Sequence, residues 1–207
     1  MGLLNLLLKD PVAFTLIAIP LLYAIIFHEL AHGWVAYRLG DSTARSLGRL
    51  SLNPLKHLDP MGTLMLFIFG FGWAKPVPVN FNQLRDRHKG MILVSAAGII
   101  TNMLLAFSAL FLNRLLSLSP SSMPALILFY FAQINIILAA FNLIPLPPLD
   151  GSKILMGFAS PRVQNSLFRL ERYGFFIIIA LLYLGILDPV IHFFQWMILS
   201  LIKLLLP

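Results

Sequence analysis

Two histidines and a glutamate fall within five consecutive residues, His28-Glu29-Leu30-Ala31-His32. Positions i and i+4 share one face of an α-helix, so both imidazoles can grip a single zinc ion, with Glu29 beside them as a general base for attack by water. The chemistry this pattern points to is metal-assisted hydrolysis. A short motif of this kind also arises by chance, but here it lies in an almost unbroken apolar run from Val12 to Tyr37. Ionisable groups at membrane depth are costly unless something pairs with them. An ion pair within the segment would account for Glu29 and one histidine and leave the other without a purpose.

A catalytic zinc commonly takes three protein ligands and keeps a position for water. The chain has no cysteine, which excludes disulfides and thiolate ligands and leaves histidine and the carboxylates. Glu171 and Asp86 sit among basic residues, and Asp41 and Asp59 lie in the first polar stretch. Asp150 stands apart, because it follows an apolar segment and the break Pro145-Leu146-Pro147-Pro148, with Gly151 after it. From the residues alone it is as readily a turn-forming Asp-Gly pair as a ligand.

The elements that must position these groups belong to a membrane protein. Of 207 residues, 59% are hydrophobic and 11% charged, and the mean hydropathy is +0.87, too apolar for a soluble domain of this length. The net charge of +7 falls in the loops between apolar runs, where orientation in the bilayer explains it, and implies no nucleic-acid partner. Apolar segments at 12–37, 91–116, 125–144, 173–187 and 190–206 predict an all-α polytopic fold of about five to six transmembrane helices. Residues 61–74 are too short to cross as a straight helix and are interrupted by Gly70 and Gly72. A re-entrant segment or short β-hairpin is expected near 61–81.

If the basic loops are cytoplasmic, the amino terminus lies outside and the first span carries the histidines to its cytoplasmic end. The second span leaves and the third returns, ending near Asp150 on the same side. No repeat or second soluble domain is evident, so residues 1–207 read as one domain.

The segment His28–His32 on an early span, with Asn142-Leu143-Ile144-Pro145 leading to Leu149-Asp150-Gly151, resembles the site-2 protease family of intramembrane zinc metalloproteases. The stretches Gly48–Pro54, His57–Pro60 and Gly72–Asn80 resemble its compact bacterial and archaeal branch, which lacks a PDZ domain. The resemblance implies one zinc per chain held by His28, His32 and Asp150, with Glu29 as catalytic base. It also implies a transmembrane protein as substrate, and a prokaryotic cell membrane with the site toward the cytoplasm. The family's Gly-Pro-x-x-Asn pattern is present as Gly98-Ile99-Ile100-Thr101-Asn102, without the proline. The match implies that Asn102 holds substrate, although an intramembrane asparagine more commonly bonds a neighbouring helix.

His57 and Asp59 are expected to shape turns, His88 and His192 to be interfacial, and Glu171 to pair with Arg169 or Arg172. The extended-looking Val77-Pro78-Val79-Asn80-Phe81 offers an edge to which an unwound substrate could add as a strand. Two other functions fit the residues: a membrane zincin that takes Glu171 as third ligand, and a metal-binding scaffold without activity.

Overall fold

The computed structural model describes residues 2–70 and 72–206. Four of its helices begin where a side chain satisfies one of the first free N–H groups. Helix α1 (Leu3–Lys9) leads into α2 (Pro11–Arg38), whose start is capped by Asp10 accepting from the Ala13 N–H at 2.9 Å. Pro20 lies inside α2, which continues through it. A one-turn helix, α3 (Thr43–Ser46), precedes α4 (Pro60–Phe69), where Asp59 accepts from the Gly62 N–H at 2.7 Å and Pro60 takes the first helical position. Asp86 caps α5 (Arg87–Leu115) and Ser122 caps α6 (Met123–Asn142). The proline-rich break then stops α6 and a new helix, α7 (Asp150–Phe158), starts at the aspartate itself. α8 (Pro161–Tyr183) and α9 (Asp188–Leu205) complete the chain.

Among the described residues, four helices are long and apolar enough to cross a membrane: α2, α5, α6 and α9. Five or six crossings were expected; the apolar segment expected at 173–187 falls in α8, which is not one of these four. The apolar stretch from Tyr173 continues a basic segment in one helix that begins at Pro161. Ile144, Leu149, Ile178 and Leu187 form a single buried cluster, so the chain just after α6, the start of α7, the last third of α8 and the start of α9 pack together. Between Leu149 and Leu187 the chain thus leaves that cluster and returns to it.

The expected re-entrant piece is α4 followed by a return. Gly70 ends the helix in the left-handed region (φ 82°), open to a residue without a Cβ. The returning chain contributes one antiparallel bridge, Leu58 to Ala74; among the described residues no β-strand forms, so the hairpin alternative is not realised. Phe67 near the tip of α4 meets Phe14 near the start of α2, while α4 packs chiefly against α1.

Helix α5 is central, packing against α2, α6 and α7. The core between helices is rich in small side chains, with Ala24, Ala106, Ala132, Ala139 and Ala140 buried, while many large apolar residues such as Leu104, Phe129 and Trp196 face outward. Without a hydrophobic drive between helices in lipid, close backbone approach over small residues is what holds such a bundle together.

Candidate metal centre

His28 and His32 are both buried on the face of α2 that meets α5. Helical rise puts them about 15 Å and about 9 Å from the end of α2 at Arg38. Each ring is oriented through its Nδ1. The His28 Nδ1–H donates to Asn102 Oδ1 at 2.6 Å, and the His32 Nδ1–H donates to the Val94 carbonyl at 2.7 Å; both partners lie on α5. With Nδ1 as donor, a neutral imidazole has a free lone pair on Nε2. The two Nε2 atoms are 2.9 Å apart, and Asp150 Oδ2 lies 3.0 Å from His28 Nε2 and 3.1 Å from His32 Nε2.

Three lone-pair atoms thus converge in a buried space, and Asp150 Oδ2 has no hydrogen-bond donor of its own. Such a cluster is repulsive unless a cation lies among its members. The donor set of two imidazoles and a carboxylate suits zinc, and the separations approach those of ligands around one tetrahedral ion, roughly 3.3 Å for bonds of about 2.0 Å. Room for the cluster depends on α5. A Cβ on Gly98 would lie 2.5 Å from His28 Cε1 and 2.6 Å from both His28 Nε2 and His32 Cε1, so only glycine lets α5 approach both rings this closely.

Glu29 is half-buried, and potential ligand atoms of His28, Glu29 and His32 all lie within 4.8 Å of one another. Its Oε2 accepts the Val77 N–H at 2.8 Å. Val77 belongs to an extended strap over the end of α2, tied down by Lys75 N–H to the His57 carbonyl at 2.8 Å, Asn80 N–H to Asp41 Oδ2 at 2.7 Å, and Arg85 N–H to the Leu39 carbonyl at 3.0 Å. The extended character expected for residues 77–81 is present up to a 3₁₀ turn at Phe81–Gln83.

The chain belongs to peptidase family M50, the site-2 protease family. The M50 family model matches residues 118–185. The chain is 42% identical over 172 residues to "Putative zinc metalloprotease YwhC" of Bacillus subtilis, covering 80% of this chain and 78% of that protein. It is 29% identical over 175 residues to "Putative zinc metalloprotease Rip2" of Mycolicibacterium smegmatis, covering 82% and 67% of the two chains. Against "Putative zinc metalloprotease MJ0611" of Methanocaldococcus jannaschii it is 35% identical over 132 residues, 63% of each. No solved structure matches the chain. As an M50 member with four apolar helices, it is an integral membrane zinc metalloprotease.

Other residues singled out in the sequence sit differently from His28, Glu29, His32 and Asp150. Asn102, assigned to substrate by the family pattern, is fully buried. Its Oδ1 accepts from His28, and its Nδ2 donates to the Ala24 carbonyl at 3.2 Å and to Asn135 Oδ1 at 2.7 Å. The side chain faces the back of a histidine, away from any open groove. Glu171 pairs with Lys153 at 3.8 Å in place of Arg169 or Arg172. Asp59 caps α4, and buried His57 reaches the Ser51 carbonyl at 2.7 Å through Nε2. His88 Nδ1 reaches the Gly157 carbonyl at 3.1 Å, and His192 Nδ1 lies 3.1 Å from Gln195 Oε1 on α9. Asn135 escaped the sequence reading altogether. Its one legible signal is a polar residue in the otherwise apolar run from Ile134 to Ala140.

Proposed function

We propose that this M50 metalloprotease hydrolyses peptide bonds within transmembrane segments of other membrane proteins, near the cytoplasmic face of a prokaryotic cell membrane. In this reading His28, His32 and Asp150 hold the zinc and Glu29 is the base. The observation that carries it is the convergence of two imidazole nitrogens and one carboxylate oxygen beside Glu29, inside a bundle of apolar helices. Bound zinc supplies a Lewis acid that acidifies water and stabilises a developing oxyanion.

The remaining work falls to the chain. Glu29 is held through Oε2 by the Val77 N–H, which leaves Oε1 to take a proton from the attacking water and return it to the departing amine nitrogen. Asn102 holds His28 from behind, so we assign it to the metal site and not to substrate. A substrate helix must unwind to expose its carbonyls, and the strap at 76–80 is an extended neighbour along which an unwound segment can lie in the bilayer. The basic loops that follow α2 and α4, and the basic first half of α8 with Arg162, Arg169 and Arg172, support a cytoplasmic location.

Glu29→Gln is the test, with purified protein and a panel of transmembrane segments. The variant is expected to bind zinc like the wild type and to lose cleavage by a factor of a hundred or more. Turnover at the normal rate would remove Glu29 from the mechanism. A wild type that binds zinc yet cuts no member of a diverse panel would favour the inactive scaffold. Zinc contents of Asp150→Ala and Glu171→Ala separate the two candidate third ligands; the Lys153 pairing of Glu171 favours loss only in the first.

A further inference from the structure

Behind His28 runs a chain of hydrogen bonds that crosses three helices. It starts at the Phe131 carbonyl on α6, which accepts from Asn135 Nδ2 at 2.8 Å. Asn135 Oδ1 accepts from Asn102 Nδ2 at 2.7 Å, and Asn102 Oδ1 accepts from His28 Nδ1 at 2.6 Å. Both asparagines are fully buried. Their amide orientations follow from their partners, because backbone carbonyls only accept: Phe131 O requires the NH₂ group of Asn135 on its side, and Ala24 O requires that of Asn102.

The direction of the chain matters. If the Asn102 amide turned over, it would offer N–H to His28 Nδ1; the ring proton would move to Nε2, and the metal-facing lone pair would be lost. The Ala24 carbonyl alone holds that amide weakly, at 3.2 Å, against 2.7 Å for Asn135. His32 needs no such device, since the Val94 carbonyl cannot donate.

Resting on the reading of His28 as a ligand, we infer that Asn135 is a positioning residue for the metal: it holds the Asn102 amide with its oxygen toward His28, keeping the ring proton on Nδ1 and Nε2 free to ligate. Partners one shell behind a metal ligand commonly change affinity by 10–100-fold.

The test is zinc affinity of the full chain in detergent, by competition with a chromogenic chelator, together with the absorption spectrum of the cobalt-loaded protein. Asn135→Leu removes the acceptor at similar size and is expected to weaken zinc by about tenfold or more and to alter the cobalt spectrum. Asn135→Asp keeps an oxygen facing Asn102 Nδ2 and is expected to stay within about threefold of wild type, with the spectrum restored. Gln164→Leu, which removes a buried amide bonded to the Met156 carbonyl, is expected to leave zinc binding unchanged. Should Asn135→Leu fail to fold, Asn135→Ala takes its place with the same expectation. Unchanged affinity in the apolar variant, or an Asn135→Asp protein as weak as Asn135→Leu, overturns the inference. Normal zinc affinity in His28→Ala would instead overturn the ligand reading on which it rests.

Discussion

At the scale of single residues, two imidazoles and a carboxylate share a space that one added methyl group would fill. Gly98→Ala puts that methyl against both rings. It is expected to lower zinc affinity at least tenfold, a loss of about 1.4 kcal/mol, while circular dichroism shows unchanged helix content. Wild-type affinity would mean that the rings can retreat. The histidines and Glu29 were legible in sequence because helical periodicity is local: positions i and i+4 must share a face. Asp150 was distinguishable only by its place after the proline break, since contact across more than a hundred residues is a property of packing. Asn135 was illegible for a different reason. A lone asparagine on an apolar helix looks the same whether it bonds an arbitrary neighbour or the back of a ligand.

Whole elements place these residues at a common depth, and the strap over α2 depends on a buried carboxylate that the sequence placed only in a polar loop. Asp41 is fully buried and accepts from the Thr43 N–H, the Thr43 hydroxyl and the Asn80 N–H. Hydrogen bonds to a charged acceptor contribute about 1.5–3 kcal/mol each. Asp41→Ala is therefore expected to destabilise the protein by about 2 kcal/mol or more and to speed hydrogen exchange in residues 77–84 ahead of α5. Uniform exchange would detach Asp41 from the strap. The long spans were readable because sustained hydropathy decides them, whereas hydropathy alone does not place α8, since it registers an apolar stretch and not its direction. Tyr173–Tyr183 is the second half of a helix resting on the proline break, where Gly174 lies against Pro147 and Ile178 joins Leu149. For residues 61–69 an apolar run fits strand or helix equally, and Asp59-Pro60 as a helix start settled it locally.

For the whole molecule, if the four apolar helices α2, α5, α6 and α9 are the crossings and α7 with α8 forms an excursion that leaves and rejoins one side, the end of α9 lies on the same side as the link between α5 and α6. Five crossings would put them on opposite sides. The chain has no native cysteine, so single replacements report sidedness without background. Ser121→Cys and Leu205→Cys are expected to react with an impermeant maleimide from one face of oriented vesicles, and Ser166→Cys from the other. Labelling of Leu205→Cys together with Ser166→Cys would restore a fifth crossing.

The strap has a chemical polarity of its own. Pro76 and Pro78 carry no N–H, and the Val77 amide is already engaged by Glu29; along residues 76–79 that leaves four carbonyls and a single uncommitted amide, at Val79. Backbone groups alternate sides in extended chain, so the edge turned away from Glu29 would carry the Pro76 and Pro78 carbonyls and no amide; a guest laid there would have to supply the donors itself, and one whose own prolines fell in that register would be disfavoured whatever its side chains.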